Sequence, residues 1–324
     1  MKLKIFITWN IDKLMSPITL SYCIPTYKRP ERIREIIKQI IPVQSKEIEI
    51  VIGDNDPSNI ENSEFIRMLS DQRIKYFQNR KNLGYDANLL LTIKRANGKF
   101  VFLLMDDDDI EVTAIPWILK IIKSKKNLTL IRGSLGNNRP GSTGLYFEYK
   151  DRLLKKGYSS LKYLPFGHAS GLILRKDALN LNKAKEQIGS FFIQQIFIAQ
   201  AAFRGDSLLS KKVVASIGNT IYKSQQPNLI KGIDYMHPIG WVIVTKYRIH
   251  MIHEMVKGKV RRELMRIENQ RTIEYLYRII NSYINNSEKI VKNVLFERDK
   301  EKEDYLLKLS TFLRAIIYLQ TKYI

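Results

Sequence analysis

Cysteine is almost absent from this chain of 324 residues, since Cys23 is the only one. An internal disulfide is therefore excluded, and a reducing compartment is indicated. No apolar run approaches the ~20 residues that a membrane-spanning helix needs. Residues 1–18 have neither the long apolar core nor the small-residue cleavage site of a signal peptide. We therefore expect a cytoplasmic protein, with residues 1–14 as an N-terminal extension.

Acidic residues are also scarce, with 32 Asp and Glu against 54 Lys and Arg, which gives a net charge of +22. This excess of positive charge indicates a polyanionic partner: nucleic acid, an anionic membrane face or a phosphorylated small molecule. A solvated, lysine-rich surface would give the same composition. Against this background, four consecutive aspartates, Asp106–Asp109, directly after an apolar run need an explanation.

The first third of the chain alternates between strand and helix patterns. Helical spacing of apolar residues predicts helices between the strands, the first of which has Pro30 in its first turn. This alternation predicts an α/β fold with a mostly parallel central sheet flanked by helices. Short apolar runs bounded by turn residues predict strands at 20–24, 48–52, 74–77 and 100–105.

The rest of the chain has a less regular pattern. The Gly- and Asn-rich stretch 133–144 is predicted to be a loop, and residues 171–174 are predicted to be a strand. Residues 191–203 are apolar on most sides, which predicts a buried helix. From 238 to 324 apolar residues keep helical spacing, which predicts a helical C-terminal region.

The aspartates lie where open α/β sheets bind ligands, outside the carboxyl end of a strand. Clustered carboxylates repel each other, and a divalent cation such as Mg2+ or Mn2+ removes that cost while bridging the phosphates of a nucleotide. A solvated acidic turn is the alternative, but the apolar strand before it argues against a plain surface turn. Polar residues also follow the first two strands: Pro25, Thr26, Tyr27 and Arg29 after the first, and Asp54 after the second.

Three segments, 21–40, 47–56 and 73–110, together resemble the nucleotide-binding half of a family 2 glycosyltransferase with the GT-A fold. Within that family the chain is most similar to transferases that decorate bacterial cell-surface polysaccharides, including the abequosyltransferase-like branch. The resemblance implies a nucleotide-sugar-binding half at 15–135, an acceptor-binding half at 136–237 and the helical appendage at 238–324.

The resemblance also implies roles for individual residues. Asp54 corresponds to the acid that contacts the base, and Asp106, Asp107 and Asp108 correspond to the D-x-D motif. In that motif the first acid faces the ribose and the last holds the metal, so Asp108 and Asp106 are the predicted ligands of Mn2+ or Mg2+. For Tyr27 and Asn88 a packing role is the alternative. The residues implied to line the donor pocket are Pro25, Thr26, Tyr27, Arg29, Asn82, Gly84 and Asn88.

The implied reaction is the transfer of a sugar, with inversion, from a nucleotide-diphosphate donor to a glycan or lipid-linked acceptor in cell-surface polysaccharide synthesis. The family usually has an aspartate base near the start of a helix, but counting back from Gly205 puts Gln194 there. An amide cannot accept the proton, so either the base lies elsewhere, with His168 and Glu186 as the nearby candidates, or the correspondence with the family helix is shifted by one turn. Gln194 is then expected to hydrogen-bond the donor or acceptor sugar.

Three other functions stay open. A catalytically impaired relative that only binds sugar nucleotide is favoured by Gln194. A sugar-phosphate nucleotidyltransferase would share the sheet and Mg2+, but its Gly-rich phosphate-binding signature is absent. A nucleic-acid-binding protein is suggested by the charge, yet no recognition motif is present, and nucleic acid is not an expected partner.

A basic segment near the C-terminal region suggests contact with a membrane. Its cations stand beside apolar residues, so the segment either lies on an anionic leaflet, as a peripheral contact on the inner face of the membrane, or forms a solvated helix that packs on the core. The basic residues are Lys246, Arg248, Lys257, Lys259, Arg261, Arg262 and Arg266.

Overall fold

The computed structural model describes most of residues 18–218 and a few short pieces beyond them. The predicted extension at 1–14 and nearly all of the predicted helical region at 238–324 lie outside the described residues, apart from helical turns at 258–259 and 261–267. No helix within the described part of the chain is long and apolar enough to cross a membrane. The described ranges are 18–138, 144–164, 167–190, 192–218, 229–230, 233–234, 257–259 and 261–267.

The first half of the fold alternates strands and helices as expected. Pro30 begins the first helix, where its missing N–H costs nothing. The strands are β1 (Leu20–Thr26), β2 (Ile48–Asp54), β3 (Ile74–Gln78) and β4 (Phe100–Leu103). The helices between them are α1 (Pro30–Ile40), α2 (Ile60–Leu69) and α3 (Tyr85–Arg95).

The second half adds shorter elements and two long strands. Its strands are β5 (Asp108–Ile110), β6 (Leu128–Asn137), β7 (Leu145–Phe147), β8 (Arg152–Leu154), β9 (Leu172–Arg175), β10 (Asp206–Ile217), β11 (Leu229–Ile230) and β12 (Ile233–Asp234). Its helices are α4 (Ile115–Ser124), α5 (Tyr158–Tyr163), α6 (Leu181–Ala184) and α7 (Gln194–Arg204), with single 3-10 turns at Val112–Ala114, Lys176–Ala178 and Lys185–Gln187.

The central sheet has the order β3-β2-β1-β4-β9-β6-β10-β5. The first four strands are parallel, as the sequence predicts. Beyond β4 the sheet is mixed, because β9 runs antiparallel to both β4 and β6, and β5 runs antiparallel to β10. The α/β fold with flanking helices is therefore confirmed, while the expected mostly parallel sheet is corrected to a mixed one.

Two apolar layers enclose the sheet, because successive residues of a buried strand point to opposite faces. Tyr22 and Ile24 of β1 pack with the apolar face of α1 and with α4. Cys23, between them, packs on the other side with residues of α3 and α7. Both faces being covered explains why the central strands are continuous apolar runs.

The prediction of a loop at 133–144 is wrong for residues 133–137, which form the end of β6. Glycines occur there because β10 approaches closely. A Cβ on Gly133 would lie 2.5 Å from the methyl groups of Val214, and one on Gly136 would lie 2.3 Å from the Ser216 hydroxyl oxygen. The glycines therefore permit strand contact instead of making a turn, and residues 139–143 of the predicted loop lie outside the described residues.

Candidate active site

The carboxyl ends of β1, β2 and β4 lie side by side. Thr26 is the residue opposite Asp54 in the β1–β2 ladder. Two residues separate β4 from four consecutive aspartates, Asp106–Asp109, which we call the aspartate turn. The Thr26 hydroxyl donates to the Asp106 carboxylate at 2.7 Å. The polar clusters that follow the strands in the sequence thus meet at one edge of the sheet.

Asp106 is buried and accepts hydrogen bonds on both of its oxygens. One bond comes from Thr26 and the other from the Arg29 guanidinium, at 2.6 Å. Burial raises the pKa of Asp106; Arg29 opposes that rise, and neighbouring Asp107 adds to it. Asp106 is thereby fixed against the loop that follows β1.

Asp107 differs from its neighbour because half of its side chain is exposed, and Arg29 lies 3.7 Å away. Its pKa is raised, first by partial removal from water and then by the adjacent charge of Asp108. It is the carboxylate of the turn with the greatest access to solvent.

Asp108 is buried and is paired with a residue 60 positions later in the chain. The Nε2 atom of His168 lies 2.9 Å from its Oδ2 atom. The loop that carries His168 is tied to the end of β4: the Met105 N–H donates to the Ser170 hydroxyl, and the Gly171 N–H donates to the Leu103 carbonyl. The structure therefore brings His168, a candidate base, to the predicted metal ligand.

Asp109 belongs to the interior of the fold. Its carboxylate accepts hydrogen bonds from Arg32 at 2.8 Å, from Asn138 at 3.0 Å and from Gln39 at 3.4 Å. Burial would raise the pKa of Asp109, but the bonds from Asn138 and Arg32 more than offset it and leave the pKa lowered. The fourth aspartate is thus a structural anion that anchors the turn to α1.

Asp54 is fully buried at the end of β2. Its carboxylate accepts from the Asp56 N–H at 2.8 Å, the Asn59 amide at 2.7 Å and the Tyr76 hydroxyl at 2.8 Å. Burial raises the pKa of Asp54 against these bonds. In this geometry Asp54 organises the turn between β2 and α2, and its contact with a base stays a prediction.

The predicted Asn82–Asn88 segment divides into two parts. Asn82 is exposed and accepts from the Gly84 N–H at 2.9 Å, while Gly84 stands before α3 with a φ of +78°, a value that favours glycine. Asn88 is buried, and its amide donates to the Gly53 carbonyl at 2.7 Å and to the Thr26 carbonyl at 3.4 Å. Asn88 thus ties β1, β2 and α3 together, which agrees with the packing alternative.

The other residues predicted to lie around the nucleotide base stand at the end of β1 or just beyond it. Pro25 is a buried residue of the strand and pairs with Gly53. Tyr27 is partly buried just beyond the strand, and the ammonium group of Lys28 lies 5.4 Å from its ring centre. Arg29, two residues after Tyr27, donates to Asp106. The contact of Pro25 and Tyr27 with a nucleotide base stays a prediction.

Gln194 begins α7, as expected for the predicted helix, and it is buried. Its amide nitrogen donates to the Gly167 carbonyl at 2.9 Å, next to His168. Its amide oxygen accepts from the Tyr85 hydroxyl at 3.5 Å. The start of α7 therefore faces the His168 loop. Glu186, the other candidate base, has an exposed position in the 3-10 turn at Lys185–Gln187.

Comparison with known proteins identifies the family. Residues 21–178 match the family described as glycosyl transferase family 2. The matched part, just under half of the chain, is a family 2 domain. The matched part runs from β1 to the turn after β9, so it contains the aspartate turn and His168, while Gln194 lies beyond it.

Two curated relatives agree with this family. The chain is 26% identical over 209 residues to the GalNAc(5)-diNAcBac-PP-undecaprenol beta-1,3-glucosyltransferase of Campylobacter jejuni, an alignment that covers 58% of this chain and 66% of that protein. It is 30% identical over 116 residues to the abequosyltransferase RfbV of Salmonella typhimurium, covering 34% of each. The chain thus spans just under two thirds of the first relative and about a third of the second.

Solved structures agree on the fold. The S. aureus TarS 1–349 structure in complex with UDP-GlcNAc has a TM-score of 0.61 at 16% identity, covering 92% of this chain and 81% of that one. At this level of identity the likeness concerns the fold alone. It confirms the GT-A type expected from the sequence.

Three residues of this family 2 domain have roles around the site that the sequence did not predict. Arg32 donates to backbone carbonyls of the aspartate turn, and Ser170 positions the His168 loop. Tyr85 reaches Gln194, and burial, together with the nearby carboxylates, raises its pKa well above the usual range, so its hydroxyl stays a donor. One signal was available: Arg32 interrupts the apolar face of α1 beside Ile33 and Ile36, which indicates a buried, paired cation.

Proposed function

We propose that this family 2 domain transfers a sugar, with inversion, from a nucleoside-diphosphate donor to a glycan or lipid-linked acceptor, in the synthesis of a cell-surface polysaccharide. One observation carries the proposal: the ends of β1 and β4 meet at Asp106, and Asp108 there pairs with His168. A nucleotide at this edge would meet carboxylates, a guanidinium group and a proton acceptor within one site.

Asp108 and Asp106 are the proposed cation ligands. Within the described residues no group of three or more His, Cys, Asp or Glu side chains is arranged to hold a metal ion. Mg2+-type sites in nucleotide enzymes, however, commonly use one or two carboxylates together with substrate phosphates and water, so the donor set fits a cation that arrives with the diphosphate. Asp106 accepts short bonds from Thr26 and Arg29 on its two oxygens, whereas Asp108 has His168 beside one oxygen and only a 3.4 Å bond from the Gly218 N–H on the other, so Asp108 is the better candidate. Mn2+ or Mg2+ would act there as a Lewis acid that stabilises the departing diphosphate.

His168 is the proposed general base. The contact with Asp108 occupies Nε2, which leaves Nδ1 as the ring nitrogen that would accept the proton. The acceptor hydroxyl would lose its proton to Nδ1 while its oxygen bonds to the anomeric carbon and the bond to the diphosphate breaks. Gln194 keeps the loop in place through the Gly167 carbonyl and takes no proton.

The acceptor is proposed to lie against two aromatic residues of β7. The rings of Tyr146 and Phe147 are each 6.2 Å from the His168 ring, and both side chains are more than a third exposed. Exposed aromatic side chains beside a polar site suit a ligand that has both apolar and hydroxyl faces, as a sugar ring has.

Replacing Phe147 with alanine is expected to raise the acceptor KM by about tenfold, because roughly 1.4 kcal/mol of stacking and burial is lost. Donor affinity should stay unchanged. Steady-state kinetics with varied acceptor and varied donor separates the two effects. Met68→Ala, an exposed apolar truncation on α2, is the matched control. An equal rise in donor KM would contradict the assignment.

A thermal-shift panel tests the proposed donor class. We expect one nucleoside diphosphate among UDP, GDP, CDP and dTDP, and its sugar conjugates, to raise Tm, and Mn2+ to enlarge that rise, since a ligand that binds only the folded state stabilises it by mass action. No rise with any of these nucleotides, with or without metal, would count against the proposal.

A second candidate function is supported by Gln194. Because this position has no carboxylate, a relative that binds the donor without efficient transfer is also consistent with the site. It would give the same thermal shifts but no turnover with any acceptor. Peripheral contact with an anionic membrane stays a prediction, because most of the basic segment at 246–266 lies outside the described residues.

A further inference from the structure

We propose that Arg32 is a positioning residue that fixes the aspartate turn in the shape needed for metal-dependent donor binding. The inference rests on the proposed function, and it concerns a side chain that the D-x-D resemblance does not include. Arg32 belongs to α1, and only 4% of its side chain is exposed.

One guanidinium group holds the turn at three points. Its Nε donates to the Asp106 carbonyl at 3.2 Å, and its Nη2 donates both to the Asp108 carbonyl at 3.1 Å and to the Asp109 carboxylate at 2.8 Å. Its remaining nitrogen, Nη1, pairs with Glu35. A planar fork can satisfy several fixed acceptors at once, which an ammonium group cannot do with the same geometry.

These contacts fix the two residues whose side chains face the site. The carbonyls of Asp106 and Asp108 point toward α1. The Asp106 carboxylate is held by Thr26 and Arg29, and the Asp108 carboxylate lies beside His168. Four adjacent carboxylates would otherwise repel one another and open the turn. The buried cation of Arg32 offsets that repulsion from α1.

The end of β10 closes the turn from another direction. The Gly218 N–H donates to the Asp108 Oδ1 atom at 3.4 Å. A Cβ on Gly218 would lie 2.0 Å from the Asp107 carbonyl oxygen and 3.4 Å from Arg32 Nη2. The turn therefore sits between α1 and β10 with no space for a methyl group at residue 218.

The test compares Arg32→Lys with the wild-type chain by calorimetry, using UDP, GDP, CDP and dTDP with and without Mn2+. We expect metal-dependent nucleotide affinity to fall about 10- to 100-fold, the usual effect of losing an outer-shell partner. Metal-free nucleotide affinity is expected to change less than about threefold. Arg34→Lys, two residues away and paired with Glu61 on the exposed side of α1, is the matched control and should behave as wild type.

Gly218→Ala gives the same test without changing Arg32. Its methyl group should displace the turn and lower metal-dependent affinity in the same selective way, so the inference stays testable even if Arg32→Lys does not fold. If a folded variant loses metal-free and metal-dependent binding in parallel, Arg32 has only a structural role. If Arg32→Lys keeps wild-type affinity, this inference is wrong while the proposed function stands. Failure of the wild-type chain to bind any of these four nucleotides in a metal-dependent way would overturn the proposed function, and this inference with it.

Discussion

Asp108→Ala is expected to abolish metal-dependent binding of a nucleoside diphosphate and to lower turnover by at least about 10³-fold. Loss of a cation ligand removes several kcal/mol of charge stabilisation as the diphosphate departs, and each 1.36 kcal/mol is a factor of ten in rate. Calorimetry with and without Mn2+ measures the binding, and a transfer assay measures the rate. Asp108→Asn keeps the shape and removes only the charge, so it should show the same loss.

Two comparison variants make this result specific. Asp177→Asn removes an exposed carboxylate beyond the opposite end of β9 and should leave the metal dependence intact. Asp54→Ala should weaken nucleotide binding with or without metal. It should also lower stability, because three donors lose their buried acceptor. Unchanged metal dependence in Asp108→Asn would contradict the metal assignment.

His168→Gln is expected to lower kcat by about 10²- to 10⁴-fold, the usual contribution of a general base, while nucleotide affinity stays unchanged. The glutamine amide can still donate to Asp108, so the variant removes the proton acceptor and keeps the neighbouring carboxylate paired. Steady-state kinetics, with calorimetry of the nucleotide, measures both quantities.

Other outcomes would give His168 a different role. A loss of metal-dependent affinity together with kcat would make it a binding residue beside Asp108. Glu186→Gln is the informative comparison, because a large fall in kcat there, with His168→Gln unaffected, would move the base to Glu186. A fall in kcat with His168→Ala but not with His168→Gln would mean that turnover needs the contact with Asp108 and does not need proton transfer to His168.

The parallel half of the fold and the place of the aspartates could be predicted from the sequence because both depend on local patterns. Continuous apolar runs gave β1, β2 and β4, and residues directly after parallel strands must lie at one edge of the sheet. The direction of β9 could not be predicted, since a four-residue strand has the same pattern whichever way it runs. The end of β6 could not be predicted as a strand, because its glycines are explained by close contact with β10, which lies about 80 residues later in the chain.

The site shows the same division between local and distant information. The D-x-D resemblance identified the aspartates, but it gave the fourth one no role, because its partners, Arg32, Gln39 and Asn138, come from two distant segments. The sequence indicates His168 only as a titratable candidate for the base, and only the structure puts its Nε2 atom against Asp108. Asn88 fits the family pattern, yet its buried amide is used to join strand ends.

A crystal structure of the chain with Mn2+ and the nucleoside diphosphate that gives the largest thermal shift would show where the donor and the cation bind. We expect the diphosphate and the cation to lie beside Asp108, the nucleoside to lie along the ends of β1 and β2, and His168 to face the open side of the phosphate. A nucleotide bound away from the aspartate turn, or bound there with no cation near Asp108, would contradict the proposed function.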